Sequence, residues 1–120
     1  MPDSIQLTAS VAIGKQANPN ISNPDGSELP FAILNGLTFT VTDISIQGLT
    51  VVEKAQVFAV SLRQNTPTGG TTNRWTFLGR VQQNVERSFI AGIKFSTPFT
   101  VANSSDSKVM AVVRLWGYFE

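Results

Sequence analysis

The sequence predicts an all-β fold, an antiparallel β-sandwich of about eight strands wound in Greek-key or jelly-roll fashion. Apolar and polar residues alternate at the two-residue period of a strand in most segments, and no stretch shows the 3.6-residue recurrence of a helix. The stretch Lys108 to Glu120 is apolar on both sides: Val109, Ala111, Val113, Leu115 and Phe119 alternate with Met110, Val112, Trp116 and Tyr118. Such a strand belongs inside a sheet rather than at its margin. The connections vary in length, which favours a sandwich over the alternative, an up-and-down barrel. With 120 residues and no internal repeat or linker, the expectation is a single β-sandwich domain over residues 1–120.

The first strand follows from Ile5, Leu7, Ala9, Val11 and Ile13, which alternate with Gln6, Thr8, Ser10 and Ala12 up to Gly14. Lys15 to Pro30 carries Pro19, Pro24, Pro30 and the turn former Pro24-Asp25-Gly26, and reads as a long surface loop. Phe31 to Leu34, then Asn35-Gly36, then Leu37 to Thr42 has the pattern of a tight hairpin, because Asn-Gly accommodates the positive φ angles of a type I′ turn. Leu37, Phe39 and Val41 share one face while Ile44 and Ile46 fall in the opposite phase. One extra residue near Thr42 or Asp43, a β-bulge, restores a common inward face. Gly48 reads as a break.

Ala55 to Arg63 predicts another central strand, with Val57 and Ala59 on one side and Phe58, Val60 and Leu62 on the other. Thr66 to Thr72 is a loop, Trp75, Phe77 and Val81 begin a strand, and Gln82 to Asn84 is a polar interruption. Phe89, Ala91, Ile93 and Phe95 line one face of the next strand. Pro98 belongs at a strand start, bulge or edge, because it has no N–H for a ladder. Phe99 and Val101 resume a short strand before a turn over 102–107.

Composition narrows the function. Charged residues are 14% of the chain, against roughly 25% in an average soluble protein. The net charge of +1 supplies no field for a polyanion, so nucleic acid is not an expected partner. Low charge also reduces repulsion between copies and so favours a homo-oligomer. The absence of cysteine and histidine removes disulfides, thiol nucleophiles, imidazole bases and the commonest metal ligands. No apolar stretch approaches the roughly 20 residues of a membrane span, and Met1 to Ser4 lacks the basic and apolar regions of a signal peptide.

Few residues suggest chemistry. Among the carboxylates, Asp43 alone lies inside a strongly patterned strand, where a bulge or turn role bonded to backbone is expected. Asn23-Pro24-Asp25-Gly26-Ser27-Glu28 reads as a plain turn, since its spacing departs from a calcium loop. Thr68-Gly69-Gly70-Thr71 has no lysine at P-loop spacing and reads as a loop tip. Asn20-Ile21-Ser22 and Asn103-Ser104-Ser105 match the glycosylation acceptor pattern, which recurs by chance.

The candidate ligand-binding residues are Arg114, Trp116 and Tyr118, on one face of the final strand, together with Trp75. Aromatic rings stack on the apolar faces of sugars, and a guanidinium supplies a fixed fork of donors. In its alternation and termination the chain resembles small virion, tail-fibre and lectin-like sandwiches in general architecture. The expectation is a non-catalytic β-sandwich, without cofactor or metal, acting as a structural or adhesion module in a homo-oligomer. The alternative is a carbohydrate-binding module that uses the aromatic platform.

Overall fold

The computed structural model describes residues 4–12, 14–33, 36–50, 57–66, 70–80, 84–103 and 109–120. Ten strands form two antiparallel sheets, and no helix occurs among the described residues. The strands are β1 (Ile5–Val11), β2 (Gln16–Ala17), β3 (Asn20–Ser22), β4 (Glu28–Pro30), β5 (Phe39–Thr50), β6 (Val57–Asn65), β7 (Thr71–Arg80), β8 (Asn84–Phe95), β9 (Phe99–Asn103) and β10 (Val109–Phe119). One sheet has the order β4-β3-β1-β10-β5-β8 and the other β2-β9-β6-β7. Two separate sheets with free margins make this a β-sandwich rather than an up-and-down barrel.

The inner faces are built from the apolar alternation. Leu7, Ala9 and Val11 of β1, Phe39, Val41, Ile44 and Ile46 of β5, and Ala111, Val113 and Leu115 of β10 face Val60 and Leu62 of β6 and Phe99 and Val101 of β9. Burying each large side chain here contributes about 1.5–3 kcal/mol. One end is filled by phenylalanine: the Phe95 and Phe99 rings stack with centroids 4.2 Å apart, and Phe39 meets Phe31 at 4.9 Å and Phe119 at 5.1 Å.

As its two apolar faces require, β10 is central, paired with β1 from Ile5↔Gly117 to Val11↔Ala111 and with β5 on its other side. The bulge in β5 lies where the change of phase puts it. Trp116 pairs with Asp43 and Gly117 with Val41, so Thr42 is the additional residue. Phe39, Val41, Ile44 and Ile46 are all buried in consequence. Central position also holds for β6, which lies between β9 and β7; Ala55 and Gln56 lie outside the described residues. Pro98 immediately precedes β9, and its carbonyl accepts the Asn65 N–H at 2.9 Å.

Several local expectations are corrected. Residues 15–30 are not one loop: β2 joins the margin of the four-stranded sheet, and β3 and β4 extend the six-stranded sheet beyond β1. Polar alternation too short to stand out was enough, because the neighbouring strand supplies the ladder. Nor do residues 31–33 form a hairpin with β5. Both sides of β5 are taken, by β10 and β8, and Phe31 turns inward against Phe39 and Phe99. Gly36 has the positive φ of a turn, at 83°, while Leu34 and Asn35 lie outside the described residues. Gly48 does not break β5, which pairs through it to Thr50.

The single apolar face expected over Phe89–Phe95 is interrupted. On β8, Ser88 pairs with Asp43 and Ile93 with Val41, so Phe89, Ile90, Ala91 and Gly92 together oppose Thr42 alone. Gly92 has φ 73°, which lets the strand turn back into register, and Ala91 is exposed. The middle of the Thr66–Thr72 loop, residues 67–69, and the polar residues Gln82 and Gln83 lie outside the described residues. So does most of the 102–107 turn, whose first residues, Ala102 and Asn103, belong to β9.

Asn103 is buried, with Nδ2 donating to the Val11 carbonyl at 2.9 Å. Its backbone exchanges bonds with Gly14 and Lys15, and so fixes the corner where the chain leaves one sheet for the other. The acceptor pattern at Asn103 therefore serves the fold, its amide nitrogen already engaged.

Gly117 has no room for a side chain. A Cβ there would run into the Thr40 carbonyl and the Phe39 ring. Gly117→Ala is therefore expected to lower stability by about 1–3 kcal/mol, the usual cost of overpacking, read as a lower denaturation midpoint in urea with an unchanged slope.

Candidate functional site

The outer face of the six-stranded sheet carries the candidate residues. Inward residues of β10 alternate with Met110, Val112, Arg114, Trp116 and Tyr118, which point away from the core. Arg114, Trp116 and Tyr118 thus share one face, alternate residues being about 7 Å apart along the strand. Trp75 is not part of it. It lies opposite Leu62 on the inner side of the four-stranded sheet, edge-on to Phe89 at 5.5 Å and stacked on Phe77 at 6.3 Å. Strand alternation alone reveals two faces but not which one the partner sheet covers, and for β7 the Trp75 face is the covered one.

Arg114 is exposed between Thr8 of β1 and Ser45 of β5, and makes no hydrogen bond or ion pair among the described residues. Tyr118 lies opposite Thr40, whose hydroxyl is buried without a hydrogen-bond partner among the described residues. Trp116 is half-buried between Gln6 and Asp43 and walls two open concavities. The larger, of about 570 Å³, is bounded by Gln6, Ile21, Ser22, Asn23 and Pro24. The smaller, of about 240 Å³, is bounded by Asp43, Glu86, Arg87 and Ser88.

The bulge organises the second concavity. Thr42 Oγ1 lies 2.9 Å from Asp43 Oδ2 and 3.2 Å from the Trp116 carbonyl, its one proton shared between them. Ser88 Oγ donates to Asp43 Oδ1 at 2.6 Å. The partners of Asp43 are thus side-chain hydroxyls, not the backbone groups expected of a bulge acid. The Ser88 bond and then the Thr42 bond hold its carboxyl below the usual aspartate range, with burial opposing them weakly. Sequence reasoning did not place Glu86, Arg87 and Ser88 here; they are local to β8, and only the strand pairing brings them beside Trp116. Chemically the face offers one indole surface flanked by hydroxyl, amide, carboxylate and guanidinium groups. Such groups suit hydrogen bonding to a polar, uncharged ligand.

Asp25 is used differently. Its Oδ1 accepts from the Ser27 N–H at 2.9 Å and the Ser27 hydroxyl at 2.6 Å, closing the turn between β3 and β4. These bonds to Ser27 lower its carboxyl as well.

A lowered carboxyl stabilises the fold fully above the unfolded value of about 3.9, and that contribution is lost as pH falls through the lower folded value. Asp43→Asn is therefore expected to reduce stability at neutral pH, with the difference from wild type shrinking as pH is lowered toward about 2. Urea midpoints measured across that range check it; a constant difference would show that the carboxylate charge is not what the hydroxyls hold.

No protein-family model matches the chain, and no curated protein is found to be similar to it.

Proposed function

We propose that the protein is a non-catalytic β-sandwich of jelly-roll winding that works as a structural module by associating with copies of itself. The observation that carries this reading is where apolar side chains remain outside. Ile90 is fully exposed at 109% of its reference area, Leu78 at 69% and Leu29 at 54%. These three stand on strands at the sheet margins, while a fourth, Met110, is exposed on the outer face of the central strand β10. Ile90 is held out by a four-against-one bulge, and bulges of this kind re-aim side chains. A low surface charge supports the same reading, since it leaves little repulsion between copies. Jelly-roll winding is supported by the chain's repeated passage between sheets, from β5 to β6, β7 to β8, β8 to β9 and β9 to β10. Light scattering or native mass spectrometry at high micromolar concentration is expected to give a multiple of the 13.0 kDa chain mass; a monomer there removes the proposal.

A second reading, carbohydrate binding, is favoured by the position of Trp116 between two concavities lined with polar groups. Here Trp116 supplies the stacking surface, with Tyr118 and Arg114 along the same strand. Because the indole faces outward, Trp116→Ala is expected to keep the wild-type urea midpoint within about 1 kcal/mol of stability and to abolish retention on a glycan array. Retention unchanged in a folded Trp116→Ala protein, or absent from the wild type, removes this reading.

A further inference from the structure

Four directly opposed residues cross the outer face of the six-stranded sheet in one row. Gln6 of β1 pairs with Trp116 of β10, Trp116 with Asp43 of β5, and Asp43 with Ser88 of β8. Since β3 runs antiparallel to β1 with Leu7 opposite Ile21, Ser22 continues the row beyond Gln6. Five strands about 4.8 Å apart give this row a length of roughly 19 Å. The two concavities lie on opposite sides of its middle member. The one of about 570 Å³ reaches over β1 and β3, the one of about 240 Å³ over β5 and β8, and Trp116 walls both. They are two halves of one track, with the indole between them.

The groups along the track sort by chemistry. An indole surface takes the apolar face of a sugar ring. Beside it the Asp43 carboxylate can only accept. Ser88 Oγ donates to its Oδ1 at 2.6 Å and Thr42 Oγ1 lies 2.9 Å from its Oδ2, which fixes the group and leaves an acceptor position on each oxygen. Ligand hydroxyls fit there, whereas a sugar acid would meet both Asp43 and Glu86. Arg87 is turned elsewhere, its guanidinium 5.7 Å from the Phe77 ring centre. Arg114 stands alongside the row, two residues from Trp116 on the same face. The other half of the track, over Gln6, Ser22 and Asn23, is lined by amides and hydroxyls and by no charged residue. That favours the hydroxyls of a glycan over the cations of a basic peptide.

We infer, resting on the carbohydrate reading above, that the ligand is an uncharged glycan chain laid across the strands. It spans both concavities, with one ring on Trp116 and hydroxyls of a neighbouring ring on Asp43. A single sugar covers only part of the row, so recognition depends on chain length.

Calorimetry on the full chain with gluco-, manno-, galacto- and N-acetylglucosamine oligosaccharides, each from disaccharide to hexasaccharide, tests this. For a series that the wild type binds, the hexasaccharide is expected to bind at least about tenfold tighter than the disaccharide, the worth of one further hydrogen bond to a charged group. Asp43→Asn and, on the other half of the track, Gln6→Ala are each expected to shrink that ratio. Partial loss of folded protein weakens both lengths alike, so the ratio reads the track and not stability. Affinity independent of length, or a ratio that neither variant moves, overturns the track while leaving a sugar on Trp116 standing. A wild type that binds none of these series overturns both.

Discussion

Everything on the six-stranded sheet depends on one residue of register, the insertion of Thr42 into β5. Side chains of a strand alternate strictly, so a continuous β5 would bury Phe39 and Val41 while presenting Ile44 and Ile46 to water. Exposing those two isoleucines would forfeit about 1.5–3 kcal/mol each, which makes the alternative register untenable. The insertion has a local cost, a displaced Trp116 carbonyl at the point where pairing shifts, and the Thr42 hydroxyl lies 3.2 Å from that oxygen. A residue with a hydroxyl on Cβ and strand propensity suits both duties.

The same insertion shapes both sides of β5 differently. Toward β10 it turns Asp43 outward beside Trp116, and the Ser88 hydroxyl locks the carboxylate there. Toward β8 the compensation is larger, four residues against one, and its apex ejects Ile90. Gly92 closes this excursion under two constraints at once: its φ of 73°, and the Thr40 side chain, which stands where a Cβ would lie. The concavity beside Trp116 and the apolar projection are thus two products of one packing problem in the core.

The bulge itself was legible, because phase is a sequence property: Phe39 and Val41 against Ile44 and Ile46 admit one solution with a buried face. The central positions of β10 and β6 were legible for a similar reason, apolar side chains on two faces. The compensation in β8 was not. Phe89, Ala91, Ile93 and Phe95 form an unbroken alternation, and only Gly92, an isolated glycine within a strand pattern, carried a signal of distortion. Asn35-Gly36 misled because a turn signal specifies local geometry and says nothing of which strands flank a segment in the sheet. Both sides of β5 are filled by strands distant in sequence, and the burial gained there outweighs a local hairpin. Of the four candidate ligand residues, three share a face by alternation within one strand. Trp75 required knowledge of which side of β7 the other sheet covers.

The margins of both sheets limit pairing with further strands. A free strand edge offers unpaired amides to any extended chain, which gives affinity with little discrimination. Here β4 ends in proline, β8 leaves register, and the four-stranded sheet is bounded by the two-residue β2 and by β7, which carries Arg74 and a register shift against β6 between Leu62 and Arg63. Regular backbone pairing is thus discouraged at the six-stranded sheet's margins.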